Sequence, residues 1–152
     1  MIKTRKKLCL CIALLAVNLA FIWGNSLLPG EISGAVSRWV KNLIALFLGQ
    51  SQEGEGGHGL LRKLAHFTEF CTLGMCLRWL FGMLLQKKWT HFTLPLAAGF
   101  LAACIDETIQ IFVPGRGPVI KDVGIDTAGV LAGIVFIILL HKKTKYLEEN
   151  KL

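Results

Sequence analysis

The sequence predicts an all-α membrane protein: four transmembrane helices, an interfacial amphipathic helix between spans 1 and 2, and both termini cytoplasmic. Three observations carry this. The 152 residues are 53% hydrophobic and 18% charged, with a mean hydropathy of +0.55, too apolar for an ordinary soluble domain. Four apolar stretches each reach the roughly 20 residues a helix needs to cross the hydrocarbon core. Lysine and arginine are divided unevenly between the segments that join them, and that bias sets orientation in a bilayer. A chain of this length holds one bundle, so residues 1–152 form a single domain.

The first stretch, 8–28, is interrupted mildly by Asn18 and, near its end, by Gly24, Asn25 and Ser26. Lys3 to Lys7 give it the basic start of a secretory signal. Its apolar core is too long for one, and no A-x-A site follows, so it reads as an uncleaved anchor. Over 31–48 the apolar residues Ile32, Ala35, Val36, Trp39, Val40, Leu43, Ile44 and Phe47 recur at helical spacing, opposite Glu31, Ser37, Arg38, Lys41 and Asn42. Two cations in mid-segment argue against a fifth span, and an amphipathic helix in the headgroup plane with Trp39 at the interface is predicted. Residues 49–59 contain five glycines in eleven positions and read as a flexible external linker. The remaining spans are 64–85, 92–113 and 119–140. All must be helical, because lipid offers backbone groups no other partner.

Eleven cations fall on one side: Lys3, Arg5, Lys6, Lys7, Arg78, Lys87, Lys88, Lys142, Lys143, Lys145 and Lys151. Six fall on the other: Arg38, Lys41, Arg62, Lys63, Arg116 and Lys121. The excess places both termini in the cytoplasm. It also accounts for the net charge of +7 as a topology signal, so nucleic acid is excluded as a partner. The five cysteines lie inside apolar stretches and form no C-x-x-C pair. They read as small buried hydrophobes, and neither a disulfide framework nor a zinc site is expected.

Against this background the intramembrane charges stand out. A carboxylate inside an apolar segment costs roughly 3 kcal/mol by insertion scales, and this chain places several at one depth beneath its outer face. Arg62, His66 and Glu69 share a helix face at i, i+4, i+7, with Lys63 beside them. Asp106 and Gln110 stack at i, i+4 next to Glu107. Asp122 and Asp126 do the same where the last span begins. Between them, Pro114-Gly115-Arg116-Gly117-Pro118 is a stiff turn that carries Arg116. Each piece has a plain structural reading. His66 and Glu69 can bond each other across a turn, Arg62 and Lys63 can snorkel, and Asp122 can complement a helix dipole. Gly124, Gly129 and Gly133 suit close helix packing. The shared depth is what those readings leave unexplained.

Arg62-Lys63-x-x-His66-Phe67-x-Glu69-Phe70-x-x-Leu73-Gly74 resembles the first signature of VanZ-like membrane proteins, named for a teicoplanin-resistance accessory protein. The second resembles Asp106-Glu107-x-x-Gln110-x-Phe112-x-Pro114-Gly115-Arg116, followed by Asp122-Val123-x-x-Asp126-x-x-Gly129. Asn25-Ser26-x-x-Pro29 is similar to the family's polar exit from its first helix. Asp126 stands where the family often has Asn, and Phe70 where it often has Tyr. The resemblance implies a role at the bacterial cell envelope, including lowered susceptibility to lipoglycopeptides, and supplies no settled reaction.

The reading preferred is therefore an outer-leaflet polar site. It would bind an anionic lipid headgroup, a lipid-linked wall precursor or a lipoglycopeptide through Arg62, Lys63, His66, Glu69, Asp106, Glu107, Gln110, Arg116, Asp122 and Asp126. Arg62 and Arg116 offer fork-shaped donors for a phosphate or carboxylate. The alternative is an enzyme acting on the same group, with catalytic candidates His66, Glu69, Asp106, Glu107 and Asp122. No cofactor is required, although Asp106, Glu107, Asp122 and Asp126 are oxygen ligands of the kind a divalent metal takes. No G-x-S-x-G, H-E-x-x-H or P-loop pattern is present, so whether the chain is an enzyme stays open at this point. A proton or ion pathway is weakest, because the inner halves of the spans hold little polar beyond Asn18, Thr72 and a few other threonines.

Overall fold

In the computed structural model, residues 2–48, 58–87, 89–117 and 119–149 are described. They form five helices, α1 (Ile2–Ser26), α2 (Gly30–Leu48), α3 (His58–Leu84), α4 (Thr90–Ile111) and α5 (Ile120–Glu149). No strand occurs among the described residues.

The helices follow the apolar stretches, with different ends. α1 stops at Ser26, short of the expected Leu28, because Pro29 disfavours the helical region for the residue before it. α3 begins at His58, so His58 and Gly59 belong to the helix and not to the linker expected over 49–59. The rest of that linker, 49–57, lies outside the described residues. Arg78, counted by sequence among the cations on the cytoplasmic side, lies within α3. α5 runs past Leu140 to Glu149, since His141 to Glu149 includes good helix formers and neither Gly nor Pro.

Among the described residues, three helices are long and apolar enough to cross a membrane, over Arg5–Ser26, Thr90–Ile111 and Ile120–Glu148. α3 is not among them. Its 27 residues suffice in length, but Arg62, Lys63, Glu69 and Arg78 dilute its apolar character.

α1 and α4 run in one direction, α3 and α5 in the other. At one end Ser26 of α1 meets Asp106 of α4, and Lys63 of α3 meets Asp122 of α5. Toward the other end, Cys11 of α1 lies 3.6 Å from the carbonyl of Cys76 in α3. The middle is an apolar core of Ile22, Phe70, Leu73, Leu77, Ala102, Ala103, Val130 and Ile134. Around it, Val17, Phe21, Leu101, Phe136 and Leu139 are exposed, the outward apolar surface expected of helices that face lipid.

The closest packing is between the parallel helices α3 and α5, and glycine makes it possible. A Cβ on Gly133 would run into the Cys71 carbonyl, one on Gly129 into the Phe67 carbonyl, and one on Gly74 into the Val130 backbone. Small residues are the means by which helices approach where no hydrophobic effect drives them together. Gly124 does not belong to this seam, because a Cβ there would meet nothing within 4 Å. A second glycine pair anchors α2. Gly30 N–H donates to the Pro114 carbonyl at 3.0 Å, and a Cβ on Gly30 would strike the Gly115 carbonyl. Gly115 itself has φ of 73°, which favours glycine at that turn. α2 is thereby tied to the α4–α5 turn and packs along α3, while Ile32, Val36, Trp39, Leu43 and Leu46 stay exposed along one stripe.

Candidate functional site

The buried face of α4 explains how charges come to lie inside the bundle. Pro95, Gly99, Ala102, Ala103, Asp106, Glu107 and Gln110 recur every three or four residues and are all buried. The stripe is small and apolar over most of its length, so neighbouring helices close in on it. It turns polar only in its last two turns, where α1 ends and α3 and α5 begin.

Asp106 is fully buried at the centre. Its Oδ1 accepts from the Ser26 hydroxyl at 2.6 Å and its Oδ2 from the Gln110 amide at 2.9 Å, the latter being the i, i+4 pair expected. Two hydrogen bonds to a charged acceptor, each worth about 1.5–3 kcal/mol, offset part of the desolvation. His66 comes from α3, with Nδ1 3.7 Å from Asp106 Oδ2 and 4.0 Å from Asp126 Oδ1. Asp126 is 1% exposed, and neither of its carboxylate oxygens has a hydrogen-bond partner.

Glu69 does not bond His66 as the i, i+3 spacing allowed. Its Oε1 accepts from Asn25 Nδ2 at 2.9 Å, because the packing of α1 on α3 brings that amide opposite it, while Oε2 is buried without a partner. Arg116 reaches back from the α4–α5 turn, and its Nη2 donates to the Asn25 carbonyl at 3.0 Å. Its Nε and Nη1 are buried and unbonded. Burial first, and then the neighbouring Arg62, press its pKa below the ordinary value. A guanidinium nevertheless remains charged at neutral pH.

The other predicted residues have structural duties. Glu107 Oε2 accepts the Val119 N–H at 2.9 Å, just ahead of α5. Lys63 lies 3.3 Å from Asp122 in the first turn of α5. Arg62 makes neither contact and lines two cavities. One is narrow, about 10 Å³, walled by Arg62, Lys63, His66, Glu107, Asp122 and Asp126 among others; that is the size that takes about one water. The other is a groove of about 380 Å³ between α1, α2, α3 and the α4–α5 turn, where Arg62, His66, Glu69 and Arg116 meet Asn25, Ser33 and Ser37. An adjoining groove of about 300 Å³ between α2 and α3 is walled by Val36, Val40, Leu61, Leu64, Ala65 and Thr68, together with Ser37. The two grooves share Val36, Ser37 and Ala65.

Asn25 and Ser26 were absent from the sequence-based set. The signal for them was present: two polar residues ending an apolar span at the level of the acids. A model of the family described as VanZ/LLP1 matches residues 8–141. No curated protein and no solved structure matches the chain significantly.

Proposed function

The chain belongs to the VanZ/LLP1 family, and we propose that it is a four-span protein of the bacterial cell membrane that holds the head group of an anionic amphiphile. α1, α3, α4 and α5 cross the bilayer, both termini are cytoplasmic, and α2 lies at the outer interface. The ligand is an outer-leaflet phospholipid, a lipid-linked wall precursor or a lipoglycopeptide; the last would connect the site to glycopeptide susceptibility.

The adjacency of the two grooves, which share Val36, Ser37 and Ala65, is the observation that supports this most. The polar groove is lined by two arginines, and one of them, Arg116, has two buried donors without partners. Such donors, buried and unbonded, are costly until an acceptor arrives, and a phosphate or carboxylate matches their fork. Glu69 Oε2, also unpartnered, suits an amine or hydroxyl on the same head group. The apolar groove runs on from there between α2 and α3, and its lining suits an alkyl or prenyl chain. α3 lacks the uniform apolarity of the other spans because one of its faces lines this site, so its charges need not meet lipid.

An enzymatic reading is kept for one reason: His66, Asp106 and Asp126 converge beside the groove, which His66 also lines. The test uses the full chain in nanodiscs of zwitterionic phosphatidylcholine, titrated with phosphatidylglycerol or a polyprenyl phosphate. Wild type should take up the anionic lipid preferentially. Arg116→Lys, which keeps the charge and loses the fork, should weaken uptake at least roughly tenfold, since a charge-assisted bond contributes about 1.5–3 kcal/mol and ~1.4 kcal/mol is a factor of ten, and His66→Gln should weaken it less. No preference for anionic lipid would refute the proposal. A silent Arg116→Lys beside a His66→Gln that abolishes the envelope phenotype would transfer support to the enzyme.

A further inference from the structure

We propose that His66 Nδ1 and the carboxylates of Asp106 and Asp126 form a binding site for one divalent transition-metal ion of the manganese or zinc class. One atom from each residue lies within 4.8 Å of the other two. The histidine-to-carboxylate separations of 3.7 and 4.0 Å are a few tenths of an ångström wider than the roughly 3.4 Å between ligands around a tetrahedral ion with ~2.1 Å bonds. Small side-chain adjustments of His66 and the two aspartates would bring the three donors to that spacing.

The charge arrangement calls for a cation. Two carboxylates from α4 and α5 are buried side by side, and an unpaired buried charge costs several kcal/mol. No fixed cation pairs with either acid among the described residues: Lys63 pairs with Asp122, Arg116 donates to the Asn25 carbonyl, and Arg62 lines the adjoining cavity. Among the described residues His66 is the one ion-pair partner of either acid. Asp126 contributes an oxygen to the cluster, and neither of its carboxylate oxygens has a hydrogen-bond partner.

The surroundings resemble those that metals use. Ser26 and Gln110 hold Asp106 in place, as outer-shell partners orient ligating carboxylates. The donor set is one imidazole and two carboxylates, which suits zinc or manganese; calcium prefers six to eight oxygens. The cavity of about 10 Å³ against His66 and Asp126 leaves room for a water as a further ligand. Glu107 and Asp122, which the sequence also offered as oxygen ligands, are engaged with Val119 and Lys63 and stay outside this set.

The full chain, purified in detergent without a histidine tag and stripped with chelator, should regain about one Mn²⁺ or Zn²⁺ per molecule on titration. Its Tm should rise with metal by mass action. Asp126→Asn and His66→Gln should each weaken binding by at least the roughly 10- to 100-fold lost with outer-shell partners. Glu31→Gln, an exposed carboxylate at the same end, should bind as wild type does. A wild-type chain whose metal content and Tm ignore both ions would overturn the site. So would undiminished binding in both variants, and the two acids would then share a proton. Because the wild-type response decides the matter by itself, a variant that fails to fold leaves the test intact.

Discussion

Where α1 and α4 end and α3 and α5 begin, the buried side chains are Ser26, Asp106, Glu107, Gln110 and Asp126; one or two turns further in they are Ile22, Phe70, Leu73, Ala102, Ala103, Val130 and Ile134. The same four helices supply both sets. In the middle, close approach is the aim, and glycines on α3 and α5 let the backbones touch. At the polar end the helices are held at distances that leave cavities, and several buried donors and acceptors have no partner. The middle holds the bundle together, and the end uses that stability to keep charged groups in an arrangement they would not adopt alone. The apolar core and the polar cluster occupy successive layers of one bundle.

That division is open to direct attack. The largest effect should come from Gly133→Val, because the new side chain meets the Cys71 carbonyl and the Met75 amide, backbone atoms that cannot rotate away. The loss should reach or exceed the top of the ~1–3 kcal/mol range for overpacking, seen as a collapsed Tm or loss of monodisperse protein. Gly124→Ala, with open space at its Cβ, should be nearly neutral. Equal damage from both would mean that the seam does not hold the bundle.

Smaller effects of opposite sign should appear in the polar layer, measured with chelator present. Asp106→Ala strands Ser26 and Gln110 and should cost about 1–3 kcal/mol for a donor left unsatisfied. Asp126→Asn replaces a buried carboxyl group that has no hydrogen-bond partner and lies beside another acid with a neutral amide, so it should raise the Tm, at about 2–4 °C per kcal/mol for a chain of this size. A gain in stability with a loss of binding is what a functional charge produces. If Asp126→Asn destabilises as much as Asp106→Ala, the contrast between the two acids is wrong.

The last test leaves stability untouched and asks which way the layers face. In a background without the native cysteines, Gly56→Cys should react with an impermeant thiol reagent in intact cells, and Glu148→Cys should not. The reverse pattern would put the polar layer on the cytoplasmic side and remove outer-leaflet ligands from consideration.

The sequence by itself determined the helices and the end of the bundle at which their polar residues cluster. Span length, the period of 31–48 and the i, i+4 pairing of Asp106 with Gln110 are local properties, legible in one segment at a time. The ordered motifs from Arg62 to Gly129 were enough to indicate the family. Only the tertiary structure decided which polar group answers which. Glu69 turns to Asn25 and not to His66, Glu107 and Asp122 serve the start of α5, Asn25 and Ser26 join the site, and His66 stands between Asp106 and Asp126. Those choices depend on how far each helix is rotated about its axis and which helix it meets. The glycine seam between α3 and α5 sets that rotation, through contacts between residues some sixty positions apart in the chain. No local spacing encodes it, because it follows from backbones packing against each other.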